Sequence, residues 1–180
     1  MEVTLIDENI VNVAERVPLD CLAIKTLDLS KNRISYLPDE LGNLLNLRIL
    51  NLSRNRLDEK SFPPTLSRLQ MLEEVNLSSN SLSEIPAFLL DLPRLKVLHL
   101  AENKLAELPE RIGRLRTLER LYLGKNCLTR IPRQVIYQIK LSKKTPVISK
   151  EYFRSRKSRV SRSSHWPTMH CSQSRPRWQI

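Results

Sequence analysis

From Leu95 to Leu105 the chain reads LKVLHLAENKL, and four other stretches share its plan. Ile24 to Ile34 reads IKTLDLSKNRI, Leu47 to Leu57 reads LRILNLSRNRL, Leu72 to Leu82 reads LEEVNLSSNSL, and Leu118 to Leu128 reads LERLYLGKNCL. All fit L-x-x-L-x-L-x-x-N-x-L with aliphatic residues at the L places. Their asparagines, Asn32, Asn55, Asn80, Asn103 and Asn126, are spaced 23, 25, 23 and 23 residues apart. Copies kept in register at a fixed period make this a repeat protein before any other reading is tried.

The pattern has a direct physical meaning. Leu98 and Leu100 alternate with His99, which is the period of a β-strand. Leu95, Leu98, Leu100 and Leu105 then point inward together. The asparagine follows where the chain must turn, and its amide offers donors and an acceptor to backbone groups that no strand partner reaches. Stacked copies predict an asparagine ladder. The second half of each repeat carries Leu37-Pro38, Ile85-Pro86, Leu108-Pro109 or Ile131-Pro132. Apolar residues follow at Leu41 and Leu44, or at Ile112 and Leu115, a spacing that suits a short helical or 3₁₀ segment opened by proline. One repeat is therefore strand, turn and short helix. No copy closes a core alone, so the copies stack. The expected fold is an α/β solenoid, curved, with parallel strands on its concave face and helical or 3₁₀ segments on its convex face.

Outward from the repeats, the ends differ in kind. Residues 1–23 read as a degenerate N-terminal capping copy: Asn9 stands 23 residues before Asn32, and Cys21 falls where Leu44, Leu92 and Leu115 fall. Val3, Leu5 and Ile10 are its candidate apolar set, although strict alternation slips there by one residue. Residues 24–141 hold the five full copies. Residues 142–180 are a basic, serine-rich tail: 10 Lys+Arg against the single acid Glu151, and none of the chain's 32 leucines. The rest carries 20 Lys+Arg and 18 Asp+Glu, so most of the net +11 sits in the tail. High charge with little apolar content predicts a mostly disordered segment. Val135, Ile136, Ile139 and Leu141 would be left as an apolar edge unless Val147, Ile148, Tyr152 and Phe153 fold back over them.

Composition excludes several classes. No run of about 18 apolar residues is present for a membrane-spanning helix. Met1-Glu2-Val3-Thr4 lacks the basic start and apolar stretch of a secretory leader. Cys21, Cys127 and Cys171 are an odd, scattered set, which argues for a reducing compartment over a disulfide framework. Three glycines leave almost no material for a phosphate-cradling loop, and no Ser-His-acid or paired-carboxylate motif is found. No cofactor or metal is expected: His99 has no ligand beside it, and His165, His170 and Cys171 lack a fourth.

These residues resemble the signature of the leucine-rich repeat family. The Leu-Pro motif and 23-residue period are similar to the intracellular subclass of Ras-pathway scaffolds, and the longer spacing from Asn55 to Asn80, with its extra residues within Asn55-Arg56-Leu57-Asp58-Glu59-Lys60-Ser61-Phe62-Pro63, resembles the Ras suppressor subgroup. That resemblance implies a non-enzymatic adaptor in intracellular signalling, linked to a small-GTPase pathway or, through a LIM-domain adaptor, to integrin adhesion. The chain departs from the family after Leu141, where Ser142-Lys143-Lys144-Thr145-Pro146 replaces the next strand.

Candidate contacts are the residues between the inward leucines, which project from the strand face. One column holds Asp28, Asn51, Asn76, His99 and Tyr122; a second holds Thr26, Ile49, Glu74, Val97 and Arg120. A third, Ser30, Ser53, Ser78, Ala101 and Gly124, is small throughout, leaving room for another side chain or simply suiting the strand-to-turn bend. Arg48 adds to the flank. Asp28, Arg48, Ile49, Asn51, Glu74, Asn76, Val97, His99, Arg120 and Tyr122 are taken as the protein-binding set, with Ile49, Val97 and Tyr122 as exposed apolar groups. The plainer alternative is that they pack only on one another. Signs are mixed, so this face does not read as a phosphate-binding track. The expectation is a monomeric, cytoplasmic protein-interaction scaffold. Its rival is a nucleic-acid or anionic-membrane binder, also nuclear, driven by the cations, serines and aromatics of Tyr152 to Arg162, where phosphorylation at Ser155, Ser158 or Ser161 would cancel charge.

Overall fold

The structure, a computed structural model, describes residues 1–129. Each repeat's apolar alternation becomes a strand of three residues. These are β1 (Glu2–Thr4), β2 (Thr26–Asp28), β3 (Ile49–Asn51), β4 (Glu74–Asn76), β5 (Val97–His99) and β6 (Arg120–Tyr122). They form one parallel sheet in chain order, β1-β2-β3-β4-β5-β6. The register joins equivalent positions, Leu27 to Leu50, Leu50 to Val75, Val75 to Leu98 and Leu98 to Leu121, so every central residue points inward. A one-residue slip would turn all of these out to solvent, which is why the register is firmly held.

β1 pairs with β2 through Val3 and Leu27, an offset of 24 residues rather than 23. Glu8, not Asn9, thus occupies the position equivalent to Asn32. This resolves the slipped alternation of the sequence reading: the first copy is one residue longer. Asp7 makes the same left-handed turn as Lys31, at φ 61°, and Asn9 adds a second left-handed residue, at 55°, that the later described repeats lack.

The returning half of each of the first four full repeats is a 3₁₀ segment, at Asp39–Asn43, Pro64–Arg68, Ala87–Asp91 and Glu110–Arg114. Pro38, Pro63, Pro86 and Pro109 stand immediately before these segments. Their bonds span three residues, as from Leu41 N to the Pro38 carbonyl at 3.1 Å. An α-helix is ~10 Å wide and strands repeat every ~4.8 Å, so a slimmer 3₁₀ turn reduces the mismatch between the faces. Between the layers lies one apolar core running from Ile10 to Leu128, with Leu50, Leu52, Leu77, Leu98 and Leu100 wholly inaccessible. Cys21 packs against it and Cys127 is exposed.

The long spacing between Asn55 and Asn80 is accommodated at Asp58–Ser61. Buried Ser61 accepts from Asp58 N at 2.9 Å and donates to the Ser35 carbonyl at 2.6 Å. Phe62 then stacks on Phe88 with centroids 5.7 Å apart. The expectations for Ile131 to Leu141 and for the tail 142–180 lie outside the described residues.

Candidate protein-interaction face

The rigidity of the strand face starts with the asparagines. Asn80 Oδ1 accepts from Leu57 N at 3.0 Å, while its Nδ2 donates to the carbonyls of Leu52 at 3.0 Å and Leu77 at 3.1 Å. Asn55, Asn103 and Asn126 make the same three bonds one repeat along. Asn32 ties the first copy in, accepting from Glu8 N and Ile10 N and donating to the Leu5 carbonyl at 2.7 Å. The residue before each asparagine, Lys31, Arg54, Ser79, Glu102 or Lys125, adopts left-handed φ between 54° and 58° to make the turn. The ladder is therefore a stitch between repeats, and the strands it terminates cannot shift independently.

On that frame the column of Asp28, Asn51, Asn76, His99 and Tyr122 divides in two. Asp28, Asn51 and Asn76 are half-buried, and each Oδ1 accepts from the backbone N–H two residues on, at Ser30 (2.9 Å), Ser53 (3.1 Å) and Ser78 (3.0 Å). Asn51 Nδ2 also donates to Asp28 Oδ2 at 2.9 Å. These are Asx turns that shape the strand exit. The sequence signal for them was present in the recurring acid-or-amide, leucine, serine triplets Asp28-Leu29-Ser30, Asn51-Leu52-Ser53 and Asn76-Leu77-Ser78. His99 and Tyr122 do neither job. Their rings stack nearly parallel, 5° apart in plane with centroids at 4.3 Å.

The neighbouring column brings Glu74 to this pair, with Oε1 3.5 Å from His99 Nε2. Burial holds the imidazole below its ordinary pKa; Glu74 opposes that shift, and the Arg120 charge reinforces it. Ile49 is exposed at 39%, and Arg120 is exposed at the start of Tyr122's strand, β6. Two of the three apolar groups expected to be exposed are not: Tyr122 is half-buried, and Val97 is 5% exposed and offers no contact area. Its cross-strand neighbours are Glu74 and Arg120, and Glu74 reaches diagonally over β5 toward His99, so long polar side chains surround a compact one. On the flank, Arg48 lies 3.6 Å from Glu73, whose carboxylate also meets Lys96 at 2.5 Å; that Lys96 hydrogen bond and charge hold Glu73 below the usual carboxylate range. In the small column Ser30 and Gly124 are buried, while Ser53, Ser78 and Ala101 are half-buried.

A stack of short parallel strands, an asparagine ladder and 3₁₀ returns define a leucine-rich repeat protein. The models for the family agree: "Leucine rich repeat" matches residues 1–57, "Leucine Rich Repeat" matches 46–69, and "Leucine Rich repeats (2 copies)" matches 70–113. The chain belongs to the leucine-rich repeat family. Among relatives, Leucine-rich repeat and calponin homology domain-containing protein 1 of Mus musculus is 47% identical over 66 residues, covering 37% of this chain and 9% of that protein. Leucine-rich repeat-containing protein 58 of Xenopus tropicalis is 44% identical over 66 residues, covering 37% of this chain and 19% of that protein. The matched region thus spans less than a fifth of either. Among solved structures, a chain of the octameric complex of Latrophilin 3, Unc5D and the leucine-rich repeats of FLRT2 superposes with a TM-score of 0.57. Its identity is 31%, and the match covers 68% of this chain and 37% of that one. An internalin from Listeria monocytogenes superposes at 0.58 with 19% identity, covering 77% and 45%, a likeness of fold. Repeat stacks of this family serve in general as protein-binding surfaces.

Proposed function

We propose that this protein is a non-enzymatic scaffold or adaptor whose strand face holds a protein partner in cytoplasmic signalling. The observation that carries the reading is a preformed set on a stitched sheet: exposed Ile49 and Arg48 at β3, and the half-buried, stacked His99 and Tyr122 with exposed Arg120 at β5 and β6. Aromatic and arginine side chains already fixed in place lose little entropy on docking and commonly anchor interfaces. The resemblance to the Ras suppressor subgroup favours a small-GTPase pathway component or a LIM-domain adaptor as partner. The chain acts as a monomer in this reading.

The test is affinity capture with the full chain, repeated with Ile49→Ala, Arg120→Ala and Tyr122→Ala combined, and with residues 142–180 removed. Proteins held by the strand face are lost from the triple variant, survive removal of 142–180 and resist moderate salt. Retention by the triple variant, with loss on removal of 142–180 and steep sensitivity to salt, would assign binding to the basic segment and overturn the proposal.

A further inference from the structure

Charge is segregated along the turn that follows the strands. Lys31 and Arg33 in one repeat, and Arg54 and Arg56 in the next, are all exposed, and none forms an ion pair with a described residue. Their backbones are fixed. Lys31 N donates to the Ser53 carbonyl at 2.9 Å, Arg54 N to the Ser78 carbonyl at 2.8 Å, Arg33 N to the Ile10 carbonyl at 2.9 Å and Arg56 N to the Ile34 carbonyl at 2.9 Å. Adjacent repeats stand ~4.8 Å apart, so Lys31 is the neighbour of Arg54 and Arg33 of Arg56, a square of four cationic positions; Ser53, next to Arg54 in the chain, has a hydroxyl that makes no hydrogen bond to a described residue.

The borders of this square limit what fits. The first copy places Asp7 at the equivalent turn position beside Lys31; the next repeat places Glu74 on its strand, and Glu102 lies beyond, held below the usual carboxylate range chiefly by its hydrogen bond from Lys125, then by Ser79, with Arg54 adding a weak pull. Asp58 and Glu59 close the convex side. A long polyanion would run from the cations onto these acids. A membrane surface would need a broad basic area; exposed Ile6, Val11 and Tyr36 lie near the rim, but its four cations span only two repeats. A short segment bearing two or three anionic groups matches the width of two repeats, and guanidinium forks pair with phosphate or carboxylate oxygens through two parallel hydrogen bonds.

We infer that Lys31, Arg33, Arg54 and Arg56 form a docking rim for a short acidic, phosphorylated peptide segment of a protein partner. The rim shares no residue with the strand-face contacts, so either surface can fail alone. The probe is a short fluorescent peptide carrying phosphoserines among glutamates, with a benzophenone cross-linker, presented to the full chain. Cross-links are expected within residues 30–57. Arg54→Glu with Arg56→Glu is expected to weaken binding ~10-fold or more, from the loss of two charge-assisted contacts. The control pair Arg68→Glu with Arg114→Glu, on exposed convex positions, leaves it unchanged, and all variants keep the parent melting curve. Cross-links confined to 142–180, or equal weakening by the control pair, would overturn the inference. So would duplex DNA or phosphatidylserine vesicles binding as tightly and with the same dependence on Arg54 and Arg56.

Discussion

Asn80 illustrates how one side chain does the work of a missing strand partner. Its removal leaves Leu57 N and the carbonyls of Leu52 and Leu77 without the bonds that buried amides require. Asn80→Ala is therefore expected to cost about 1–3 kcal/mol in denaturant unfolding; an unchanged midpoint would contradict the ladder. His99 supplies a second expectation. Burial lowers its folded pKa below the 6.5 of an exposed imidazole, so the unfolded chain binds the proton first as pH falls. The contribution is intact above the unfolded value and is lost as pH falls through the folded one. Between about pH 7 and 5 the melting temperature of the parent should drop more than that of His99→Phe, which keeps a ring for Tyr122 but has nothing to titrate. Parallel curves would show that burial does not govern this imidazole. The ladder was legible in the sequence because an amide recurring at one register has few other uses. Val97 was misplaced because strand periodicity gives the side a residue faces, and not how far a neighbour such as Glu74 leans across it.

At the scale of the element, the 3₁₀ segments follow from proline at the start and from the little room between successive repeats. Gly42 marks the tightest approach. A Cβ there would sit 2.5 Å from the Thr65 carbonyl oxygen and 2.9 Å from Thr65 Cβ. Alanine is the better helix former, yet Gly42→Ala should destabilise by about 1–3 kcal/mol through that clash, read by thermal unfolding. Equal or greater stability would mean that the two segments can part cheaply. The proline-led segments could be read from Leu37-Pro38 and its counterparts. The 24-residue offset of β1 could not, because Asn9 imitates the ladder position in sequence while the pairing of Val3 with Leu27 decides it in space. The turn at Asp58–Ser61 was visible only as a longer spacing; that a serine hydroxyl would anchor it to Ser35 depends on a contact 26 residues away in the chain.

The whole molecule behaves as a row of nearest-neighbour contacts, each strand bonded only to the copies on either side. Stability should fall from the middle outward. Native-state hydrogen exchange is expected to be slowest in β3 and β4 and faster in β1, which has a neighbour on one side only; uniform protection would indicate a single cooperative block. This continuity is what turns three separate side-chain columns into one surface. It also explains why the fold was readable and the partner was not: the repeat dictates where each column points, while the residues that fill it are free to vary without disturbing the core. The most direct measurement is amide exchange on the full chain, alone and bound to the protein it captures. Slowed exchange across peptides containing Ile49, His99, Arg120 and Tyr122 is the predicted result. Protection confined to residues 142–180, with those peptides unchanged, would contradict it.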